Sequence, residues 1–111
     1  MPYRDLDVLD AAERAVVAIN RLIDESPGRL LYVAQLRESA QSICANIAEG
    51  FGRRPGKDRV RSLEIARGEA EETIRHLRTN YRTNRIAARD YWPLHNLLVV
   101  IVKMLNLLIY G

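Results

Sequence analysis

His76, His95 and Cys44 are the residues of this 111-residue chain whose types most often ligate metals or act as nucleophiles. None stands in a pattern that does either. A zinc or di-iron site on helices needs ligands repeated at one-turn spacing, and no His-Glu-x-x-His, Glu-x-x-His or Cys-x-x-Cys occurs. Cys44 has no histidine near it in sequence and falls beside an apolar stripe, the place of a buried structural thiol. Gly50-Phe51-Gly52 follows a helical pattern rather than a strand, so it is no phosphate-binding glycine loop. The expectation is no catalytic residue, no metal, no cofactor, and a protein that is not an enzyme.

The chemistry that remains belongs to arginine. Fifteen of the seventeen basic residues are Arg, whose planar fork of donors suits phosphates and carboxylates. Residues 1–50 hold five arginines against eight carboxylates, whereas residues 51–111 hold twelve basic residues against six. Arg53, Arg54, Lys57, Arg59 and Arg61 surround one loop, opposed only by Asp58. A loop beside a helix N-terminus can hold phosphate. Arg75, Arg78 and Arg82 recur at helical spacing, and Arg85 and Arg89 continue the track. Three readings stay open: a surface for RNA or DNA, pairing with the acidic half of a neighbouring subunit, and a mixed solvated surface. Tyr32, Tyr81, Tyr91 and Trp92 can stack on bases or pack in the core, and packing is the reading preferred at these positions.

The elements that must carry these residues are helical; no run shows two-residue alternation. The first helix is expected over about 6–24, with Leu9, Ala12, Val16, Ile19 and Ile23 in steps of three and four, and Asp5, Asp7 and Asp10 near its positive end. Ser26-Pro27-Gly28 suggests a cap and a start for a second helix over about 28–49, with Val33, Leu36, Ala40, Ile43 and Ile47 as its stripe and Gly50 as its stop. The third is expected over 58–82 on Leu63, Ala66, Ala70, Ile74 and Leu77. Gly68 at its middle suggests close approach of another helix, with simple tolerance of a glycine there as the alternative. The fourth is expected over 90–109, capped by Asp90 so that Pro93 falls in its first turn. Its residues Leu98, Val99, Val100, Val102, Leu107 and Ile109 make it apolar nearly all round, as if one face met a second subunit. Four helices with short connections predict an all-α, antiparallel up-down four-helix bundle in one domain spanning 1–111.

Ser39, Ser42, Asn46 and Glu49 run alongside the second stripe. They read as a polar groove or as a hydrogen-bonded seam closed by Glu72 of the third helix. The seam is the stronger reading, and Gly50 and Gly52 fit it as residues of special backbone conformation. A chain of this size buries only about two-thirds of its unfolded surface, so oligomerisation is a natural completion of its core. The lone cysteine suits a reducing, cytoplasmic compartment. Met1 to Asp5 hold no hydrophobic signal core, and the apolar stretch Leu97–Tyr110, broken by Lys103 and Asn106, is shorter than the roughly 20 residues a bilayer requires. No membrane association is expected.

The pattern Gln35-Leu36-Arg37, Ser42-Ile43, Asn46-Ile47-Ala48-Glu49-Gly50-Phe51-Gly52-Arg53-Arg54, then Leu63, Ile65-Ala66-Arg67-Gly68, Glu72 and Leu77, resembles the four-helix-bundle proteins encoded in intervening sequences of 23S ribosomal RNA genes. Lys103-Met104-Leu105-Asn106 is similar to that family's closing helix, and the similarity covers essentially the whole chain. The resemblance implies a bacterial cytosolic protein without assigned enzyme activity, assembled as a homopentameric ring. It also implies a fold shared with accessory proteins of diversity-generating retroelements, which bind nucleic acid and a reverse transcriptase; a protein partner is therefore a further expectation. Two departures stand out: Glu69 where most relatives carry serine, and an end at Gly111 without a basic extension.

Overall fold

The computed structural model describes the backbone of residues 3–111 and the side chains from Asp7 onward. Four helices form: α1 (Tyr3–Asp24), α2 (Val33–Phe51), α3 (Lys57–Arg82) and α4 (Ala88–Tyr110). Connections 25–32, 52–56 and 83–87 are too short to run back along helices that rise about 1.5 Å per residue over 19 to 26 residues. Consecutive helices are therefore antiparallel. Each helix packs on its two neighbours around a square, with α1 closing on α4. The longest dimension is 43 Å, close to the length of α3 itself.

The core follows the predicted stripes. Leu36, Ala40, Ile43 and Ile47 of α2, and Leu63, Ala66, Ala70, Ile74 and Leu77 of α3, are all buried. In α1 the buried line is turned by one residue, to Val8, Ala12, Ala15, Ile19 and Leu22, and Leu9 and Val16 are only partly covered. In α4 the buried line is Leu94, Leu98, Ile101 and Leu105.

The helix ends differ from expectation in four places. First, α1 begins at Tyr3 rather than near residue 6; the side chain of Asp5 lies outside the described residues. Second, α2 begins at Val33, not at residue 28. Gly28 takes φ +69°, Leu30 tucks under the bundle end, and Tyr32 precedes the helix at φ +61°, a left-handed conformation that is costly for a side chain of its size. Third, Gly50 does not stop α2. It stays helical and buried, and a Cβ built on it would lie 3.2 Å from Leu63 Cδ2 and 3.3 Å from Ser62 Cβ. Its role is the close approach of α3; Gly52, itself right-handed at φ −75°, follows the last residue. Beside Gly28, a glycine that needs its conformational freedom is Gly56, at φ +146° before α3.

Fourth, α4 starts at Ala88, after the extended Ala87, which leaves Asp90 inside the first turn rather than capping it. Pro93 lies inside the helix and removes one ladder bond near its start, where the fewest turns depend on it. At 23 residues α4 is long and apolar enough by composition to cross a bilayer, longer than the stretch the sequence singled out.

Gly68 also departs from expectation, because it is exposed and a Cβ there would meet nothing within 4 Å. No helix of the same chain approaches it. Gly68→Ala is accordingly expected to stabilise the folded chain by about 1 kcal/mol in chemical denaturation, the helix-propensity difference. Dissociation of an oligomer by the same change would place the approaching backbone in a neighbouring subunit.

Candidate nucleic-acid interface

The two basic groups lie on different parts of the bundle. Arg53, Arg54 and Lys57 surround the 52–56 connection, with Arg59 and Arg61 in the first turns of α3. These residues do not behave alike. Arg59 turns inward and donates to the carbonyls of Gly50 at 3.1 Å, Phe51 at 3.5 Å and Arg53 at 2.6 Å. It therefore satisfies the carbonyls that the end of α2 leaves open, and its guanidinium lies 5.9 Å from the Phe51 ring centre. Arg53 pairs with Glu49 at 2.7 Å, and the Glu49 contact holds its guanidinium above the usual range. Arg54, Lys57 and Arg61 are exposed and form no ion pair among the described residues.

Arg75, Arg78 and Arg82 lie exposed along α3, toward its far end. Arg75 and Arg78 border a groove between α3 and α4 with His95 and Lys103, over a floor of Ile74, Val99 and Val102. Glu71 borders the same groove, so the acidic residues of α3 are not all on the opposite side; its carboxylate reaches Arg67 at 4.0 Å. Above the groove sits an aromatic cluster. The Tyr81 and Tyr91 rings stack 4.2 Å apart, and Trp92 meets Tyr81, Tyr91 and His95 edge-on at 5.7, 4.9 and 5.3 Å. The Tyr91 hydroxyl and His95 Nδ1 share a 3.2 Å hydrogen bond. Tyr91 is buried, as packing requires, but Trp92 remains 47% exposed.

Arg85, at the tip of this end, is not a free member of the track. It donates to the carbonyl of Arg29, while Arg29 donates to the carbonyls of Asn84 and Arg85. Beneath this clasp Asn80, fully buried, accepts from the Leu31 N–H at 2.8 Å and donates to the Leu31 carbonyl at 3.0 Å. Sequence reasoning passed over Asn80, yet Leu77 to Asn80 continues the three–four step of the α3 stripe, the signal that would have found it.

The seam beside the α2 stripe is only partly as expected. Asn46 donates to both the carbonyl and the hydroxyl of Ser42, at 2.9 and 3.0 Å. Ser39, fully buried, meets the Thr73 hydroxyl of α3 at 2.7 Å. Glu72 closes nothing on α2. It approaches His76 at 3.9 Å, and it lies beside Glu69, whose carboxyl is held above the usual range by burial first and then by the charges of Glu72 and Glu38. Glu49 is taken by Arg53, and Gly52 donates its N–H to Ala48 and Glu49 carbonyls at 3.1 and 3.2 Å.

Cys44 is half-buried beside Leu9, Val16 and Ala48. Burial, then the charge of Glu13, pushes its thiol up to about 11. Its alkylation rate in the folded protein is expected to stay low at neutral pH and to climb only as pH approaches about 11. A rate rising through about 8.5, the ordinary thiol value, would mean that the group is solvated.

The chain matches the model of the 23S rRNA-intervening sequence protein family over residues 4–107. A crystal structure of a protein of unknown function from the S23 ribosomal protein family of Bacteroides thetaiotaomicron superposes with a TM-score of 0.87 at 28% identity, covering 97% of this chain and 99% of that one. No curated protein matches. With α2, α3, all but the outermost residues of α1 and α4, and the basic connection inside the matched span, the chain belongs to the 23S rRNA-intervening sequence protein family.

Proposed function

We propose that this protein is a non-enzymatic binding scaffold that assembles as a ring-shaped homo-oligomer, a pentamer by resemblance to its family, and holds structured RNA or DNA electrostatically. The observation that carries the reading is the set of exposed cations at the 52–56 connection: Arg54, Lys57 and Arg61 have no carboxylate partner among the described residues. Set beside the N-terminus of α3, they favour an anion. The contact would be made to phosphates, without base readout. The half-buried Cys44 thiol suits a reducing compartment, as in the cytoplasm.

The test is fluorescence anisotropy of labelled structured RNA and duplex DNA from about 50 to 200 mM salt. Affinity is expected to fall steeply with salt, and Arg54→Glu with Lys57→Glu and Arg61→Glu is expected to lower the slope by about 1 for each phosphate contact removed. Absence of binding at the lowest salt would overturn the reading.

A second reading, a ring whose arginines serve assembly, is favoured by apolar surface. Val100 and Leu107 of α4 are 47% and 64% exposed, and Val17 of α1 is 56% exposed beside a shallow groove lined by Leu9, Val16, Cys44 and Ala48. Such faces support contact between copies better than contact with lipid, since Asn106 on α4 accepts a hydrogen bond from Arg67 at 2.8 Å. Under this reading Arg78→Glu with Arg82→Glu would dissociate the oligomer in light scattering.

A further inference from the structure

We infer that the groove between α3 and α4 binds an unpaired stretch of single-stranded nucleic acid, with Trp92 stacking on a base and Arg75, Arg78 and Lys103 holding its phosphates. This inference rests on the nucleic-acid reading above and deepens it, because it assigns a different surface and a different substrate form. Single-strand sites combine a cationic channel for the backbone with aromatic rings on which bases stack.

Both parts are present here, and antiparallel packing puts them in line. From Trp92 to Lys103 the helix rises about 17 Å. Along that rise His95 lies below Trp92, and Arg78, Arg75 and Lys103 border the channel. None of these three cations forms an ion pair among the described residues. The one carboxylate at the edge, Glu71, is directed to Arg67. The channel floor is apolar, so it suits the flat faces of bases better than a hydrated duplex backbone.

Trp92 is the residue that packing alone does not explain. Tyr81 and Tyr91 satisfy each other by stacking, and Tyr91 is buried. Trp92 leans on them edge-on and leaves nearly half its surface in solvent. A large ring packed on three aromatic neighbours, with nearly half its surface open to solvent, is suited to stacking at little further cost in ordering when a ligand arrives.

Trp92 is the chain's single tryptophan, so its emission reports this groove directly. The experiment titrates the full chain with unlabelled single-stranded DNA and RNA of about ten nucleotides, and with the matching duplexes, while following tryptophan emission. Anisotropy of labelled copies is measured in parallel. The expected result is saturable quenching by single strands, weaker quenching by duplexes, and about a tenfold loss of single-strand affinity in Trp92→Ala that Trp92→Phe largely restores. Arg78→Glu, at an exposed position that leaves the aromatic packing untouched, is expected to weaken single strands more than duplexes, with circular dichroism unchanged. Single-strand binding by anisotropy with unchanged Trp92 emission and unchanged affinity in both variants would overturn the groove assignment and leave the electrostatic reading standing. No anisotropy change with any nucleic acid would overturn both.

Discussion

Asn80→Leu is expected to destabilise the protein by about 3 kcal/mol in urea denaturation, although leucine would extend the apolar stripe of α3 and look harmless from the sequence. The side-chain amide of Asn80 satisfies both the N–H and the carbonyl of Leu31, and it also donates to the carbonyl of His76 at 2.9 Å. Leucine leaves the Leu31 pair beneath the bundle end without partners, and each unmet buried polar group costs about 1–3 kcal/mol. The 25–32 connection should lose its protection from hydrogen exchange at the same time. Asn80→Asp is a useful comparison: it keeps the acceptor for the Leu31 N–H but turns a donor toward the carbonyl into a second acceptor. It should also destabilise, and more at neutral than at acid pH. A change below about 0.5 kcal/mol for Asn80→Leu, the range of ordinary surface substitutions, would show that water replaces the lost bonds.

The second large effect concerns assembly. Val100→Glu with Leu107→Glu is expected to convert the proposed oligomer to monomer in light scattering while leaving the helical circular dichroism intact. Both side chains are exposed on α4, on the side away from Leu98, Ile101 and Leu105. Burying a residue of this size contributes about 1.5–3 kcal/mol, so losing two at each contact removes about 4 kcal/mol, on the order of a thousandfold in dissociation constant. Introduced carboxylates add the penalty of an unpaired charge at the contact. A wild-type protein that is already monomeric, or a double variant with unchanged mass, would remove the ring from the proposal. The surface would then need another occupant.

Much of the bundle was legible because helix packing is written as spacing. The stripe of α3 and that of α2 from Leu36 onward gave their buried residues correctly, since a three–four step defines a face whatever the helix meets; Val33, at the first turn of α2, is only partly covered. In α1 the same rule picked the Leu9–Val16 line, one residue away from the buried Val8–Ala15 line, because adjacent apolar lines look alike until α2 and α4 are in place. The helix ends were less legible. Gly50 carries both a stop signal and a small side chain, and the smallness is what matters, against Leu63. Pro27 invited an early start for α2, but Leu31 is held by Asn80, 49 residues away, a contact that no local pattern announces. The basic residues were legible as a composition and not as a surface. Sequence treated Arg53, Arg54 and Arg59 as equals, whereas one pairs with a neighbour, one faces solvent and one closes a helix end.

That last difference separates what attracts a partner from what grips it. Arg29, Arg59 and Arg85 have donors engaged with carbonyl oxygens, which are neutral, so each keeps its full positive charge. They add to the positive field that would draw the proposed polyanion in and orient it, an influence that fades beyond roughly 8 Å at physiological salt. The donors they have so engaged are not available for a phosphate. Under the nucleic-acid reading proposed above, Arg54, Arg75 and Arg78, with their forks unengaged, would supply the short-range hold. That reading divides encounter and residence between different arginines: a substitution at Arg59 would slow arrival and loosen the end of α2 together, whereas one at Arg78 would shorten the stay alone.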